Sequence, residues 1–464
     1  MINNSLFFFI FLLFIIIEKV KTHFSTIEIK FKKFITTQSD DIILSNYNND
    51  IYITVQIGTP RQNMEKIFLK TDSNEFMIAN STIEKGNYNK DHSYTSNLIV
   101  YPKYYSLKYT TKGIVLKDHF YLTDNNNNDA EYQNISFIYA SRINNKIYTS
   151  VIGLKLSEEK IKNVASFPSQ LKDLNYIKDT TWMIKYTSED EGNFLIGDVL
   201  NEKNFQKFNP EDYRKTNTIL FGNYLSWDLL FTKIEFNDVK LNGPMQANLD
   251  FNFGLISCSD EYYTAIKKEL FDKYINEGKC KEFYFNKENE NQKNMNINSK
   301  FNYIVCEKSF NIKKFPEISF YHTELDYIFT LSYEDVFISF NDKIYFLCIN
   351  EMPSNERWRL GKPFFKKYNI IFDHNLKTIG IYGNINKTSV NWVLLEWIVV
   401  IILFIIFVLL AYTLIRRYRL NHYKTFEKRI KTDELTDNFN EDNYKEFNLN
   451  NLQKVKEENK IIDE

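Results

Sequence analysis

The stretch Ile51-Tyr52-Ile53-Thr54-Val55-Gln56-Ile57-Gly58-Thr59-Pro60-Arg61-Gln62 sets the character of the chain. A short run of β-branched and aromatic residues stops at glycine and proline, as a strand stops at a turn. Similar runs recur at Phe137 to Ala140, Asn193 to Ile196 and Lys343 to Cys348, broken by Asn, Asp, Gly and Lys. This pattern predicts a mostly-β chain. Two helical stretches interrupt it, around Pro168 to Leu174 and around Asp260 to Glu277, the second with Tyr262, Ile266, Leu270 and Tyr274 on one face. The polar segments Thr123 to Asp129 and Lys287 to Lys300 lack the apolar content to pack and read as exposed loops.

The two longest apolar runs lie near the ends. Leu6 to Ile17 has the length of a signal-peptide core and is too short to span a bilayer comfortably. Trp397 to Ile415 carries no charge, and at about 1.5 Å per residue it covers roughly 28 Å, close to the hydrocarbon thickness. Arg416, Arg417, Arg419, Lys424, Lys428, Arg429 and Lys431 follow it, whereas only Glu396 stands close before it. The positive-inside rule then places the tail in the cytosol and the large preceding region on the lumenal or extracellular side, a single-pass type I arrangement. The roughly 370 residues between the two runs suffice for two lobes with substantial cores.

The formal net charge is −1, with no basic stripe and no interleaving of aromatic and basic residues, which argues against nucleic acid as a partner. Four cysteines, Cys258, Cys280, Cys306 and Cys348, stand in the second half of the chain. In a compartment that permits disulfides they predict two bridges, with three connectivities open. Neither a Cys-x-x-Cys pattern nor clustered histidine suggests a metal. Asn80, Asn134 and Asn386 head glycosylation sequons.

The opening stretch, followed by Lys66-Ile67-Phe68 and Ser73-Asn74-Glu75-Phe76, resembles the first hairpin of the pepsin-like aspartic proteases. Further matches fall in the family's order: Val151-Ile152-Gly153-Leu154, Ser166-Phe167 with Gln170-Leu171, and Gly192 to Asp198. The run Leu360-Gly361-Lys362-Pro363-Phe364-Phe365 through Asp373, then Ile379-Gly380-Ile381, completes the series. The resemblance spans nearly the whole region between the apolar runs. It implies two pseudo-symmetric β lobes around a peptide-binding cleft, each giving one Asp-Thr/Ser-Gly triplet to its floor. The chemistry needs both carboxyls, one to deprotonate a water and one, kept protonated, to polarise the scissile carbonyl.

Here the chain departs from the family. Counting from Gln62, the first catalytic Asp falls at Leu69, so the triplet reads Leu69-Lys70-Thr71. Asp72, three residues on, is a weak substitute, about 10 Å away along an extended strand. The second triplet keeps Asp250 but continues Phe251-Asn252. Neither triplet retains the residues that in the family lock the two loops together. The flap resembles Ser106 to Ile114, with Tyr109 as its tyrosine if the hairpin is shortened, or Ser106 by an ungapped count. Lys362 replaces the Asp that usually follows Leu-Gly. The resemblance also implies that Cys306 pairs with Cys348, which leaves Cys258 with Cys280. Ile27 to Phe34 resembles the first strand of a prosegment, its lysines expected to face Leu69 and Asp250.

These readings divide the chain into a signal peptide (1–22), a short prosegment-like strand (23–45), an N-terminal lobe (46–210), a C-terminal lobe (211–383), a juxtamembrane linker (384–396), a transmembrane helix (397–415) and a cytosolic tail (416–464). They predict a monomeric, membrane-anchored relative of the endopeptidases with an incomplete dyad, which binds peptide or protein in its cleft and needs no cofactor or metal. The alternatives are an active aspartic-type endopeptidase of an acidic lumen, with an unusual dyad built on Asp250, and a surface protein that reuses the fold without an open cleft.

Overall fold

The computed structural model describes residues 26–34, 42–81, 83, 88–104, 110–123, 129–143, 150–156, 164–222, 224–286, 300–352, 357–383, 403, 405–417 and 419. The expected signal peptide, the linker, Tyr109, Asn386, most of the two polar loops and nearly all of the tail lie outside them. The chain falls into two units, Met1–Ile385 and Asn386–Glu464.

In the second unit residues 405–417 are helical, and Ile405, Phe407, Leu409, Leu410, Leu414 and Ile415 are exposed. The expected span begins before this helix, at residues outside the description. Among the described residues no helix is long and apolar enough to cross a membrane.

The first unit is built on two large sheets. Strand Ile51–Ile57 buries Ile51, Ile53, Val55 and Ile57 and turns its intervening residues outward, the period-2 pattern of a half-buried strand. It pairs antiparallel with Gln62–Lys70 across the Gly58–Arg61 turn. Among the described residues the first sheet has thirteen strands, and three of them, Tyr213–Asn217, Asn369–Asp373 and Thr378–Tyr382, come from beyond residue 210. The second sheet, of eleven strands among the described residues, runs between Asp228–Phe236 and Trp358–Leu360 in sequence. Aromatic rings fill the junction: Trp182 stacks on Phe372 at 4.2 Å, and Trp227 and Phe251 meet Trp182 edge-on at 5.9 and 6.1 Å.

The helical stretches form as Phe167–Asp173, started by Ser166 with Pro168 in its first turn, and as Asp260–Ile266, Lys267–Phe271 and Asp272–Asn276 in succession. In the latter, Tyr262 and Ile266 are buried, and Leu270 and Tyr274 pack partly buried against the same core.

The expected prosegment-like strand, Ile27–Lys33, lies inside the first sheet between Glu191–Ile196 and Ile51–Ile57. Its alternation buries Ile27, Ile29 and Phe31 and exposes Lys30 and Lys32. Lys33 reaches Asn46 Oδ1 at 2.6 Å and Asp190 at 3.9 Å. The expectation that these lysines face Leu69 and Asp250 is therefore corrected: strand parity sends two of them to solvent, and the third is held elsewhere.

The expected disulfides are corrected as well. Cys280 is bonded to Cys306, while Cys258 and Cys348 are buried free thiols. The physical reason is register. Cys280 and Cys306 stand directly opposite in the antiparallel pair Cys280–Phe285 and Lys300–Glu307, whereas Cys258 and Cys348 occupy adjacent parallel strands.

Candidate functional site

The two triplet loops meet beneath the junction of the sheets, each delivered by the end of a long strand. Gln62–Lys70 lies parallel to Val151–Gly153, and Val239–Leu249 lies parallel to Trp358–Leu360. A glycine supports each loop from below. A Cβ on Gly153 would stand 2.4 Å from Ser73 O, and one on Gly361 would stand 2.2 Å from Phe253 O, so no larger residue fits under either turn. This close approach explains the Ile152-Gly153 and Leu360-Gly361 pairs in physical terms.

The loops are locked to each other, contrary to the sequence expectation that this support is lost. The Asn252 carboxamide donates from Nδ2 to Leu69 O at 2.8 Å, and its Oδ1 accepts from the Thr71 backbone N–H at 2.9 Å. One side chain thus acts as a peptide unit added to the edge of the opposing loop. Asn49 ties the second loop further, its N–H donating to Asn252 O and its Nδ2 to Phe251 O, both at 2.7 Å. Thr71 Oγ1 donates to Asp250 Oδ1 at 2.6 Å.

Leu69 is fully buried at the end of its strand, and its backbone carbonyl is what the site uses. Lys70, next to it, is buried in an ion pair with Asp50, the two side chains 4 % and 3 % exposed. Burial of either charge alone would be costly, so the pair is mutually required. Asp72 is exposed, between buried Thr71 and Ser73.

Asp250 is buried, and among the described residues the groups that hydrogen-bond its carboxylate are Thr71 Oγ1, the Asn252 N–H at 2.9 Å and the Arg359 guanidinium. Arg359 donates from Nε at 2.9 Å and Nη2 at 2.7 Å, both to Oδ2. No second carboxylate is among them. Glu351 stands on the far side of the guanidinium, 3.7 Å from Nη1, and accepts a hydrogen bond from the Tyr47 hydroxyl. The Arg359 guanidinium lies over the Phe253 ring at 4.0 Å.

Burial alone would raise the Asp250 carboxyl, but Arg359, Thr71 and the Asn252 N–H overcome it and hold the carboxyl below its usual range. Burial likewise works against the charge of Arg359, and Asp250 and Glu351 outweigh it and push its proton affinity up. Each charge fixes the other. The pairing favours the charged form of the carboxylate and weakens it as a base.

Lys362 is also buried and binds Glu189 Oε2 at 2.9 Å, and Lys366 binds the other oxygen of the same carboxylate. Against the upward push of partial burial, the two lysines bring the Glu189 carboxyl down to about 2. Asn134 is exposed with φ of 62° on its strand, and Asn80 is partly buried.

Two β sheets whose long strands deliver paired loops onto Gly153 and Gly361 define the class of the pepsin-like aspartic proteases. The model of the family Asp, eukaryotic aspartyl protease, matches residues 50–382, and the chain belongs to that family. No curated protein matches the chain.

Sequence reasoning named Asp250, Leu69 and Lys362 and did not name Arg359, Glu351, Tyr47 or the locking role of Asn252, which the structure places around Asp250. One signal was available. Arg359 stands between Trp358 and Leu360, and Lys70 follows Ile67-Phe68-Leu69, so each is a charge inside an apolar strand and demands a buried partner.

Proposed function

We propose that this chain is a catalytically silent member of the aspartyl protease family that binds peptide or protein segments between its lobes. The observation that carries the reading is the Asp250–Arg359 pair beside Leu69. The acid-base chemistry of the family needs two carboxyls sharing a water and a proton. Here one position holds an aliphatic side chain, and the other carboxylate is neutralised by a guanidinium. The lock made here by Asn252 supports the same reading, because loops held together around a disabled centre fit a binding role. Binding would use main-chain pairing to an extended segment, with side-chain specificity supplied by the cleft walls.

The wider setting we propose is a single-pass type I protein, monomeric, with residues up to about 383 on the lumenal or extracellular side and a cytosolic tail. Its support is the apolar run Trp397 to Ile415 and the basic flank that follows. The sequons at Asn80, Asn134 and Asn386 would then be available for glycosylation.

The test is direct. Full chain purified in detergent is incubated with denatured protein and mixed peptides from pH 3 to 7, and products are read by mass spectrometry. No cleavage is expected. Cleavage that disappears in Asp250→Ala would overturn the silent reading in favour of an endopeptidase with an unusual dyad. Peptide capture is measured separately, by enrichment from a random peptide library on immobilised protein, and the absence of any enriched peptide refutes the binding role.

A further inference from the structure

We propose that Cys258 and Cys348 are a modification site, joined as a second disulfide while the chain folds on the secretory route. The two Sγ atoms lie 3.4 Å apart, in contact along adjacent parallel strands, and both side chains are buried. Nothing needs to move far for a bond to form. The placement gives the bond a purpose. Strand Ile256–Cys258 is in register with Arg359 through Ser257, and strand Cys348–Met352 carries Glu351, which flanks the same guanidinium. A bridge between Cys258 and Cys348 ties together the two strands that border the Asp250–Arg359 pair. It also closes a loop of sequence separation 90 around Cys280–Cys306, and long closed loops gain most from a cross-link.

The step is an ordinary exchange. A Cys258 or Cys348 thiolate attacks the disulfide of a thiol–disulfide oxidoreductase, forming a mixed disulfide and releasing one thiol of the enzyme. The second cysteine, as thiolate, attacks the mixed disulfide, forms Sγ–Sγ and releases the other thiol. Two protons and two electrons leave the pair, and the oxidant ends as a dithiol. Timing follows from burial. In the closed protein, burial and the neighbouring Cys348 push the Cys258 thiol well up, so it is a poor nucleophile there. The bond therefore forms before the strands close over the pair.

The inference rests on the lumenal placement of this region, and its test separates the two. Full chain from a secretory expression host is denatured without reductant in the presence of an alkylating agent and then peptide-mapped. The expected result is one peptide linking Cys258 to Cys348, one linking Cys280 to Cys306, and no alkylated cysteine. If Cys280 and Cys306 are linked while Cys258 and Cys348 carry the alkyl group, the second bridge is refuted and the compartment stands. Four alkylated cysteines refute both. A second measurement reads the cross-link thermodynamically. Cys258→Ala, Cys348→Ala and the double variant should all lower Tm by the same several degrees, whereas additive losses from the two single variants would mean packed thiols and no bond.

Discussion

Arg359 directs both Nε and Nη2 at a single oxygen of Asp250, Oδ2, at 2.9 and 2.7 Å, and so leaves Oδ1 to Thr71 and the Asn252 N–H. Every strong acceptor direction of the remaining family carboxylate is directed at the protein itself. On the reading proposed above, Leu69 is the smaller of two changes, because a carboxylate introduced there would face a partner already neutralised.

From this follows an expectation about rescue. Leu69→Asp alone should leave the protein without measurable proteolysis at acid pH, since removing one member of an acid-base pair costs on the order of 10²- to 10⁴-fold and Asp250 remains paired. The check is a fluorogenic peptide assay with Leu69→Asp/Asp250→Ala as background. Turnover by Leu69→Asp above that background would show that Arg359 does not hold Asp250 out of the chemistry.

The pair should also be visible in stability. Breaking a fully buried ion pair costs about 3–5 kcal/mol, and the Arg359 side chain is 32 % exposed, so Arg359→Leu is expected to cost on the order of 2 kcal/mol. Asp250→Leu should cost a similar amount, and the double variant clearly less than the sum. Urea unfolding of the four proteins measures the coupling, and strict additivity would contradict a direct interaction.

Returning Asn252 to the family's glycine should weaken the fold. Asn252→Gly strips partners from Leu69 O and the Thr71 N–H, both buried, for a cost of about 2–4 kcal/mol. A midpoint in urea equal to wild type would show that the cross-loop lock carries no net energy.

Acid should destabilise the protein through His374. Its Nδ1 accepts from Trp182 Nε1 at 3.0 Å, and burial beside Trp182 and Trp227, against the raising effect of a hydrogen bond to the Lys155 backbone and of neighbouring Asp373, lowers its pKa to about 4. Between the ordinary value near 6.5 and about 4, the unfolded chain binds the proton and the folded chain does not, so stability falls as pH drops through that window. The loss is on the order of 3 kcal/mol when complete. His374→Gln should flatten the dependence of Tm on pH between 6.5 and 4, and an unchanged slope would remove His374 as its source.

The strand Ile27–Lys33 should persist in the mature protein. Its loss would expose the edges of both Glu191–Ile196 and Ile51–Ile57 in the middle of a sheet. N-terminal sequencing after acid incubation should find no new end near Asn46, and such an end on protein that stays folded would count against a constitutive strand.

Most of the fold was legible because it rests on local chemistry: the β-branched run at Ile51, the turn at Gly58 to Pro60, the glycines at 153 and 361. The site was legible only in part. Leu69 and Asp250 could be named by counting along strands, but Arg359 reaches Asp250 across 109 residues of sequence, and no local pattern announces which charge a half-buried guanidinium will meet. The cysteines failed for the same reason. Pairing by resemblance took Cys306 to Cys348, whereas the antiparallel register set Cys280 opposite Cys306. Asn252 was read as a lost glycine because its role is to imitate backbone, which no residue-type argument anticipates.

Strands from the second half of the chain, Asn369–Asp373 and Thr378–Tyr382, complete the sheet that begins at Ile27. The polypeptide is thereby stitched back onto itself. A protease that nicks the exposed linker residues Lys203 or Lys207 would sever the covalent path between the halves without freeing them. Phe372 against Trp182, Asn252 against Leu69 and Trp227 Nε1 on Leu154 O at 2.7 Å would keep the fragments together. Such a clipped molecule would elute as one species on a sizing column and come apart only in denaturant, so neither half is a natural unit to express alone.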